Sequence, residues 1–148
     1  MPHLLRIPEA ASLGLHAAVT LAARPQGRVS TRELAEGFGA SEAHLAKVMQ
    51  RLKRAGLVTA TRGPKGGFQL ARPADSITLL DIYEAVEGPV EPLGCLLGRP
   101  SCVRARCLFG DFIQEFDTRF RGYMATTTLA QLIEHEETID AATADHQD

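Results

Sequence analysis

The chain has 148 residues, of which 45% are hydrophobic and 23% charged, a balance that suits one compact domain, or a small domain with an attached helix, around a mostly aliphatic core. Its three cysteines are too few for a disulfide scaffold, and its apolar run at 13–23 is broken by His16 and too short to span a membrane, so we expect a cytoplasmic protein with reduced thiols. The net charge of −2 hides a block at 43–74 with seven Lys or Arg and no acidic residue, which favours a surface for a polyanion over an ordinary solvated face.

The first predicted elements are three helices. Apolar residues recur at every fourth position from Leu13 to Leu21, which predicts a helix over 8–23 with one buried stripe. Ser30 or Thr31 can cap a short second helix, and a capping-box glutamate follows at the required spacing. A third helix is predicted over 41–56, with its own apolar stripe and a basic outer face. The second and third helices, joined by a tight glycine-containing turn, form a helix-turn-helix pattern.

After the third helix the apolar period changes to two. Residues 57–62 alternate as a strand does, 63–67 read GPKGG and predict a turn, and 68–72 predict a second short strand. A hairpin directly after a helix-turn-helix predicts a winged helix-turn-helix. The glycine-rich turn lacks the GK[ST] ending of a phosphate-binding loop, and no helix follows it directly, which disfavours that interpretation.

The C-terminal part is predicted to be helical on both sides of an irregular loop. A helix over 77–88 is followed by the loop that holds all three cysteines, and a long helix is predicted from Leu108 through Ile133. The long helix carries an apolar stripe at spacings of three and four, for which a second copy of the chain is the economical partner. The stripe consists of Phe109, Phe112, Ile113, Phe116, Phe120, Tyr123 and Met124. We therefore expect a DNA-binding domain at 1–88, a sensor loop at 89–107 and a dimerisation helix with an acidic tail at 108–148.

Four segments carry a family resemblance: STRELAE, SEAHLAKVMQRLKRAGLV, TRGPKGGFQLARP and ITLLDIYEAVEG, in this order. They resemble the Rrf2 family of bacterial transcription regulators, and the wing followed by the ITLLDI helix is the most specific part. The resemblance implies a mainly α-helical, winged-helix regulator, a repressor or an activator, that binds double-stranded DNA at a palindromic operator. It also implies a homodimer in which the long C-terminal helices cross.

Candidate DNA contacts follow from the predicted helices and wing. DNA binding needs phosphate neutralisation for affinity and base contacts for specificity. Thr31 and Arg32 begin the second helix, whose free N–H groups could hold phosphates. Arg62 and Lys65 flank the wing turn, and the resemblance implies that Arg62 enters the minor groove. The candidates on the third helix are Ser41, Glu42, His44, Lys47, Gln50 and Arg51.

The cysteines Cys95, Cys102 and Cys107 lie within thirteen positions, CLLGRPSCVRARC. Thiolates suit an iron–sulfur cluster or zinc, and the neighbouring arginines favour the thiolate, which equally promotes oxidation to a disulfide. A cluster, a thiol redox switch, a zinc site and a loop without a sensing role therefore all remain open. The resemblance favours a cluster, [2Fe–2S] or [4Fe–4S], because three cysteines bind one here in several members. The spacing C-x6-C-x4-C differs from the roughly equal gaps common among them.

Three cysteines leave one coordination position unfilled, and His16 is the candidate for it. A lone histidine on or near the apolar side of a helix is more often a packed core residue. The resemblance implies the other role, since some members complete the cluster from the first helix of the partner subunit. No catalytic constellation is visible, so an enzyme is not expected. A winged-helix adaptor that does not use DNA is the alternative class, and the basic block at 43–74 disfavours it.

Overall fold

The computed structural model describes residues 7–93 and 107–134, and it confirms the mainly α-helical fold with a small hairpin wing. The elements are α1 (Glu9–Ala22), α2 (Thr31–Phe38), α3 (Glu42–Arg54), β1 (Val58–Thr61), β2 (Gly67–Leu70), α4 (Leu79–Glu87) and α5 (Phe112–Thr126). A short 3-10 turn precedes α4, and residues 129–134 are also helical. Over the described ranges, no helix is long and apolar enough to cross a membrane.

Side-chain caps determine where α2 and α4 begin. At α2, the Ser30 hydroxyl accepts a hydrogen bond from the backbone N–H of Glu33 at 3.1 Å, and the Glu33 carboxylate accepts one from the N–H of Ser30 at 2.8 Å. Thr78 and Asp81 make the same reciprocal pair at α4, at 3.1 and 2.9 Å. These capping boxes satisfy N–H groups that have no partner within the helix. The structure thus selects Ser30 over Thr31 as the cap of α2, and Thr78 caps α4.

The core is aliphatic and lies between α1, α3 and α4. The apolar stripe of α3 packs inward, with Leu45, Met49 and Leu52 fully buried. The approach of α1 to this layer is close, because a β-carbon added at Gly14 would lie 2.9 Å from a methyl group of Val86 on α4. Other core residues lie on α1, α2, β1 and α4 and in the segments just before α2, just before α4 and after α5: Leu21, Val29, Leu34, Val58, Ile77, Ile82 and Leu129.

The wing is an antiparallel hairpin whose register runs from Val58 opposite Leu70 to Thr61 opposite Gly67. It is wider than the sequence predicted, because Val29 adds an isolated bridge alongside β2. The N–H of Val29 donates to the Phe68 carbonyl at 3.0 Å, and the N–H of Phe68 donates back at 2.8 Å. Because Val29 lies in a short loop with no strand pattern, its pairing could not be read from the sequence.

The prediction of one continuous helix over 108–133 is wrong. Helix α5 begins at Phe112 and ends at Thr126, and the backbone is extended at Thr127. The extended segment pairs with the start of α4: the N–H of Leu79 donates to the Thr127 carbonyl, and Leu129 N–H donates to Ile77, both at 3.0 Å. Three consecutive threonines favour this break, since β-branched residues fit extended backbone better than a helix interior.

Candidate nucleic-acid interface

The turn between α2 and α3 sets the geometry of the helix-turn-helix. Gly39 ends α2 in the left-handed conformation, with φ of 62°, which glycine adopts without steric cost. The N–H of Ala40 donates back to the Ala35 carbonyl at 2.9 Å. The next residue, Ser41, caps α3: its hydroxyl accepts a hydrogen bond from the N–H of His44. The turn that joins the two helices of the motif is therefore fixed by a backbone hydrogen bond and a side-chain cap.

The outer face of α3 is polar and basic. Successive helical residues are about 100° apart, so Ala43, Lys47, Gln50 and Arg54 form one stripe on the side opposite the buried Leu45. All four residues of the stripe are exposed. Lys47 and Gln50 were predicted as DNA contacts, whereas Arg54 was missed, although the same four- and three-residue spacing identifies it. A lysine, an amide and an arginine on one helical stripe can donate to phosphates and to base edges.

The other residues predicted to contact DNA near the start of the motif differ in their exposure and in their existing hydrogen bonds. Ser41 and Glu42 are exposed, and Thr31 and His44 are half-buried. Arg32 is exposed, but its Nε donates to a Glu36 carboxylate oxygen at 2.9 Å. This hydrogen bond raises the pKa of Arg32 above its usual value. The guanidinium of Arg32 is therefore already paired. The backbone N–H groups of Thr31 and Arg32 still lie at the N-terminus of α2, where they can bind a phosphate.

Arg51 is exposed as well, but it lies on the flank of the stripe and its guanidinium is bonded within the chain. Its Nη1 donates to the carbonyl oxygen of Val86, near the end of α4, at 2.7 Å. A cation there is favourable, because the last carbonyls of a helix carry partial negative charge and lack intrahelical partners. Arg51 therefore ties α3 to α4 on the flank of α3.

The wing turn presents two further cations. Strand pairing ends at Thr61 and Gly67, and Arg62 and Lys65 are exposed in the turn between them. Gly63 has a φ of 110°, which a residue with a side chain rarely adopts. The turn therefore brings backbone and basic side chains to the tip of the hairpin, as the sequence predicted.

The comparisons with known proteins agree with this arrangement. The model of the Rrf2 family, described as iron-dependent transcriptional regulators, matches residues 7–135. The chain belongs to the Rrf2 family. It is similar to CymR, the global cysteine regulator of B. subtilis, with 28% identity over 89% of this chain and 98% of that one and a TM-score of 0.73. S. aureus CymR has 29% identity over 86% and 97% of the two chains, with a TM-score of 0.69. T. potens IscR has 26% identity over 92% and 91%, with a TM-score of 0.71.

Membership of the Rrf2 family makes this protein a winged-helix, DNA-binding transcriptional regulator. Its three-cysteine loop falls mainly outside the described residues, which include Cys107 but neither Cys95 nor Cys102. Cys107 is exposed and precedes the turn that leads into α5. In the part of the chain that the structure describes, no three His, Cys, Asp or Glu side chains are grouped as metal ligands.

His16 is exposed on α1 and is not a core residue, but its ring lies edge-on to that of Phe38 on α2, with centroids 6.0 Å apart, at the border of the apolar side. The buried face of α1 includes Ala11, Ala18 and Ala22 as well as the leucines, and these small residues shift its centre away from His16. The Nδ1 of His16 lies 2.7 Å from the Ser12 carbonyl oxygen. Since a carbonyl can only accept, Nδ1 carries the proton, and Nε2 of the neutral ring keeps a lone pair.

The α5 helix leaves part of its apolar stripe in solvent. Phe112 is 63% and Tyr123 57% exposed, and Leu108 and Phe109 in the preceding turn are also exposed. Phe116 and Phe120 are half-buried, with rings stacked at 5.9 Å, and Ile113 is half-buried. Met124 is only 5% exposed within the single chain, so it does not belong to the open part of the stripe. This Rrf2 chain therefore has an aromatic surface on α5 that one copy does not cover.

Proposed function

We propose that this Rrf2 regulator binds a palindromic operator as a homodimer, with α3 in the major groove and the wing in the adjacent minor groove. The observation that carries the proposal is the exposed stripe of α3, on which Lys47, Gln50 and Arg54 face away from the core. The whole block at 43–74 contains no acidic residue that would repel phosphates. The domain organisation proposed with it is a DNA-binding domain at 1–88, a sensor loop at 89–107 and a dimerisation region at 108–148.

The contacts divide by the chemistry of the donors. Lys47 and Gln50 can donate to base edges, while the free N–H groups of Thr31 and Arg32 suit a phosphate at the start of α2. Arg62, at the wing tip, suits a narrow minor groove, whose potential is strongly negative at A·T-rich sequence. Arg51 is left out of this contact set because its guanidinium is bonded to Val86.

The homodimer is proposed from the exposed aromatic surface of α5. A large apolar surface on a monomeric protein is unusual, and a second copy of the same helix provides a matching surface. Two copies related by a two-fold axis would present two α3 helices to successive major grooves about 34 Å apart, which is why a palindromic operator is expected.

Binding to random-sequence duplex at several salt concentrations tests this function against an adaptor that does not use DNA. A DNA-binding protein that neutralises several phosphates should lose affinity steeply as salt rises. Fluorescence anisotropy of a labelled duplex measures both the affinity and the slope. No binding at low salt would remove the proposal and leave the adaptor.

We further propose that an iron–sulfur cluster controls this regulator, held by Cys95, Cys102, Cys107 and by His16 of the partner subunit. Thiolates are the usual ligands of such clusters. A bound cluster would supply reversible redox chemistry and could also be lost, and either change can act as a signal. The described donors fit this use. The Cys107 thiol is exposed, and the hydrogen bond of His16 Nδ1 to Ser12 leaves Nε2 free to coordinate, as in many metal-bound histidines.

A thiol redox switch without a cluster is the second candidate, and the exposure of Cys107 favours it equally. Anaerobic protein reconstituted with iron and sulfide distinguishes the two. A brown protein that is bleached by Cys107→Ser, and whose colour is lost faster in His16→Ala, supports the cluster. Colourless protein whose DNA affinity changes with peroxide supports the thiol switch. Colourless protein indifferent to peroxide contradicts both.

A further inference from the structure

An open groove of about 510 Å³ lies between the wing and the loop that joins α1 to α2. The groove is outside the set of contacts predicted from the sequence, except for Lys65. One wall is formed by Gln26, Arg28 and Glu33, and the other by Lys65, Gly66 and Gln69. Its lining is therefore polar on both sides, with one cation on each wall.

The two walls are held at a fixed separation by backbone hydrogen bonds. Val29, next to Arg28, exchanges two hydrogen bonds with Phe68 of β2, at 3.0 and 2.8 Å. Gly67 makes the approach possible, because a β-carbon there would lie 2.8 Å from the carbonyl oxygen of Val29. Arg28 and Lys65 are thus brought to the same groove by the rigid part of the wing, although 37 positions separate them in sequence.

The cations of this groove are free to bind an anion. Arg28 and Lys65 are exposed, and within 7–93 and 107–134 neither is paired with a carboxylate, in contrast to Arg32 and Arg121. The acidic residue of the groove is already engaged: one oxygen of Glu33 accepts from both the N–H and the hydroxyl of Ser30, at 2.8 and 2.9 Å. The two glutamine amides add donors that suit phosphate oxygens.

We infer that this groove holds the phosphodiester backbone of the bound DNA, with Arg28 and Lys65 contacting phosphates from opposite walls. The inference rests on the proposed function and adds to it a contact from the α1–α2 loop, which belongs neither to α3 nor to the wing. The Glu33 carboxylate keeps the phosphates at the rim of the groove, where the long side chains of the two cations reach. A free phosphate offers the same kind of anionic oxygens as the DNA backbone. The experiment therefore includes inorganic phosphate as a competitor, which distinguishes the two ligands.

The test measures the affinity of the full-length protein for random-sequence duplex over a series of salt concentrations. Arg28→Gln and Lys65→Gln should each reduce the magnitude of the slope of log affinity against log salt by about 0.9, the value for one phosphate. Near physiological salt this corresponds to a loss of about fivefold in affinity. Arg72→Gln is the matched control, since Arg72 is also exposed but follows β2 at the opposite end of the hairpin from Lys65. It should leave the slope unchanged.

Each outcome decides a different point. Wild-type protein that binds no duplex contradicts the proposed function itself. Wild-type binding with Arg28→Gln and Lys65→Gln equal to Arg72→Gln overturns the groove inference alone. Inorganic phosphate, added at constant ionic strength, should compete equally with the wild type and the variants. Competition confined to proteins that keep Arg28 would assign the groove to a free anion instead. Unchanged thermal midpoints would show that the variants are folded.

Discussion

At the scale of single residues, α3 offers a comparison between two exposed lysines. Lys47 lies on the stripe opposite the core, while Lys53 lies about 120° away around the helix. Both carry the same charge on the same element. Any difference between them in DNA binding therefore reports which side of α3 faces the DNA.

We expect Lys47→Ala to weaken operator binding by about 1–3 kcal/mol and to relax sequence preference, because a base contact is lost. Lys53→Ala should lower affinity only slightly and equally for all sequences. Competition between a specific and a random duplex measures both effects. Equal losses in the two variants would mean that α3 contributes only its charge.

Residues whose roles are set by near neighbours in sequence were predictable. The caps at Ser30 and Ser41 and the outward stripe of α3 depend on spacings of three and four, which the sequence shows directly. Arg51 could not be placed this way, because its acceptor, Val86, is 35 positions away and becomes a neighbour only when α4 packs on α3. The exposure of His16 likewise depends on which alanines of α1 meet the core.

At the scale of elements, the bond from Arg51 to Val86 joins α3 to the end of α4. The backbone after α4 is held by a second contact, in which the N–H of Val90 donates to a Glu84 carboxylate oxygen at 3.0 Å. Arg51 is thus a positioning residue for α3, and the segment it anchors leads toward the cysteine loop.

Arg51→Met keeps the apolar stem of the side chain but removes the donor. We expect it to lower the free energy of unfolding by about 1 kcal/mol, the net worth of one such bond at a partly exposed site. The salt dependence of DNA binding should not change. Arg54→Met, on the outward stripe, should leave the free energy of unfolding unchanged and reduce the salt dependence of DNA binding. Urea unfolding and duplex binding measure the two properties, and a smaller salt slope for Arg51→Met at unchanged stability would restore Arg51 to the DNA contacts.

The break in the C-terminal helix was partly legible in the sequence. Thr128 and Gln131 form a capping box, in which the N–H of Thr128 donates to the Gln131 side chain at 2.9 Å, and TTTLAQ is its signature. The apolar stripe, which continues through Leu132 and Ile133, hid this local signal. The sequence could not show that Thr128 pairs with Thr78, because the two segments become neighbours only in the folded chain.

At the scale of the whole molecule, α5 has two apolar sides with different uses. Ile113, Phe120 and Met124 turn toward the side where α5 approaches α4, and they are half-buried or buried. Phe112 and Tyr123 point to a neighbouring side and remain in solvent. One apolar side of α5 is covered within the chain, and the other is open and suited to a second copy of the chain. Because a dimer would present two α3 helices to one operator, contacts between α5 helices and DNA binding should be linked.

Phe112→Asp places a charge in the centre of the open aromatic surface, where dimer formation would bury it without a partner. We expect monomers in place of dimers at micromolar concentration, and weaker operator binding, because two linked α3 helices read two half-sites. Gln114→Asp is the matched control: it adds the same charge about 160° around α5, on an exposed polar side, and should leave both properties unchanged. Light scattering and operator binding measure the outcome. Monomeric wild-type protein, or a dimeric Phe112→Asp variant, would show that this surface of α5 does not join two copies.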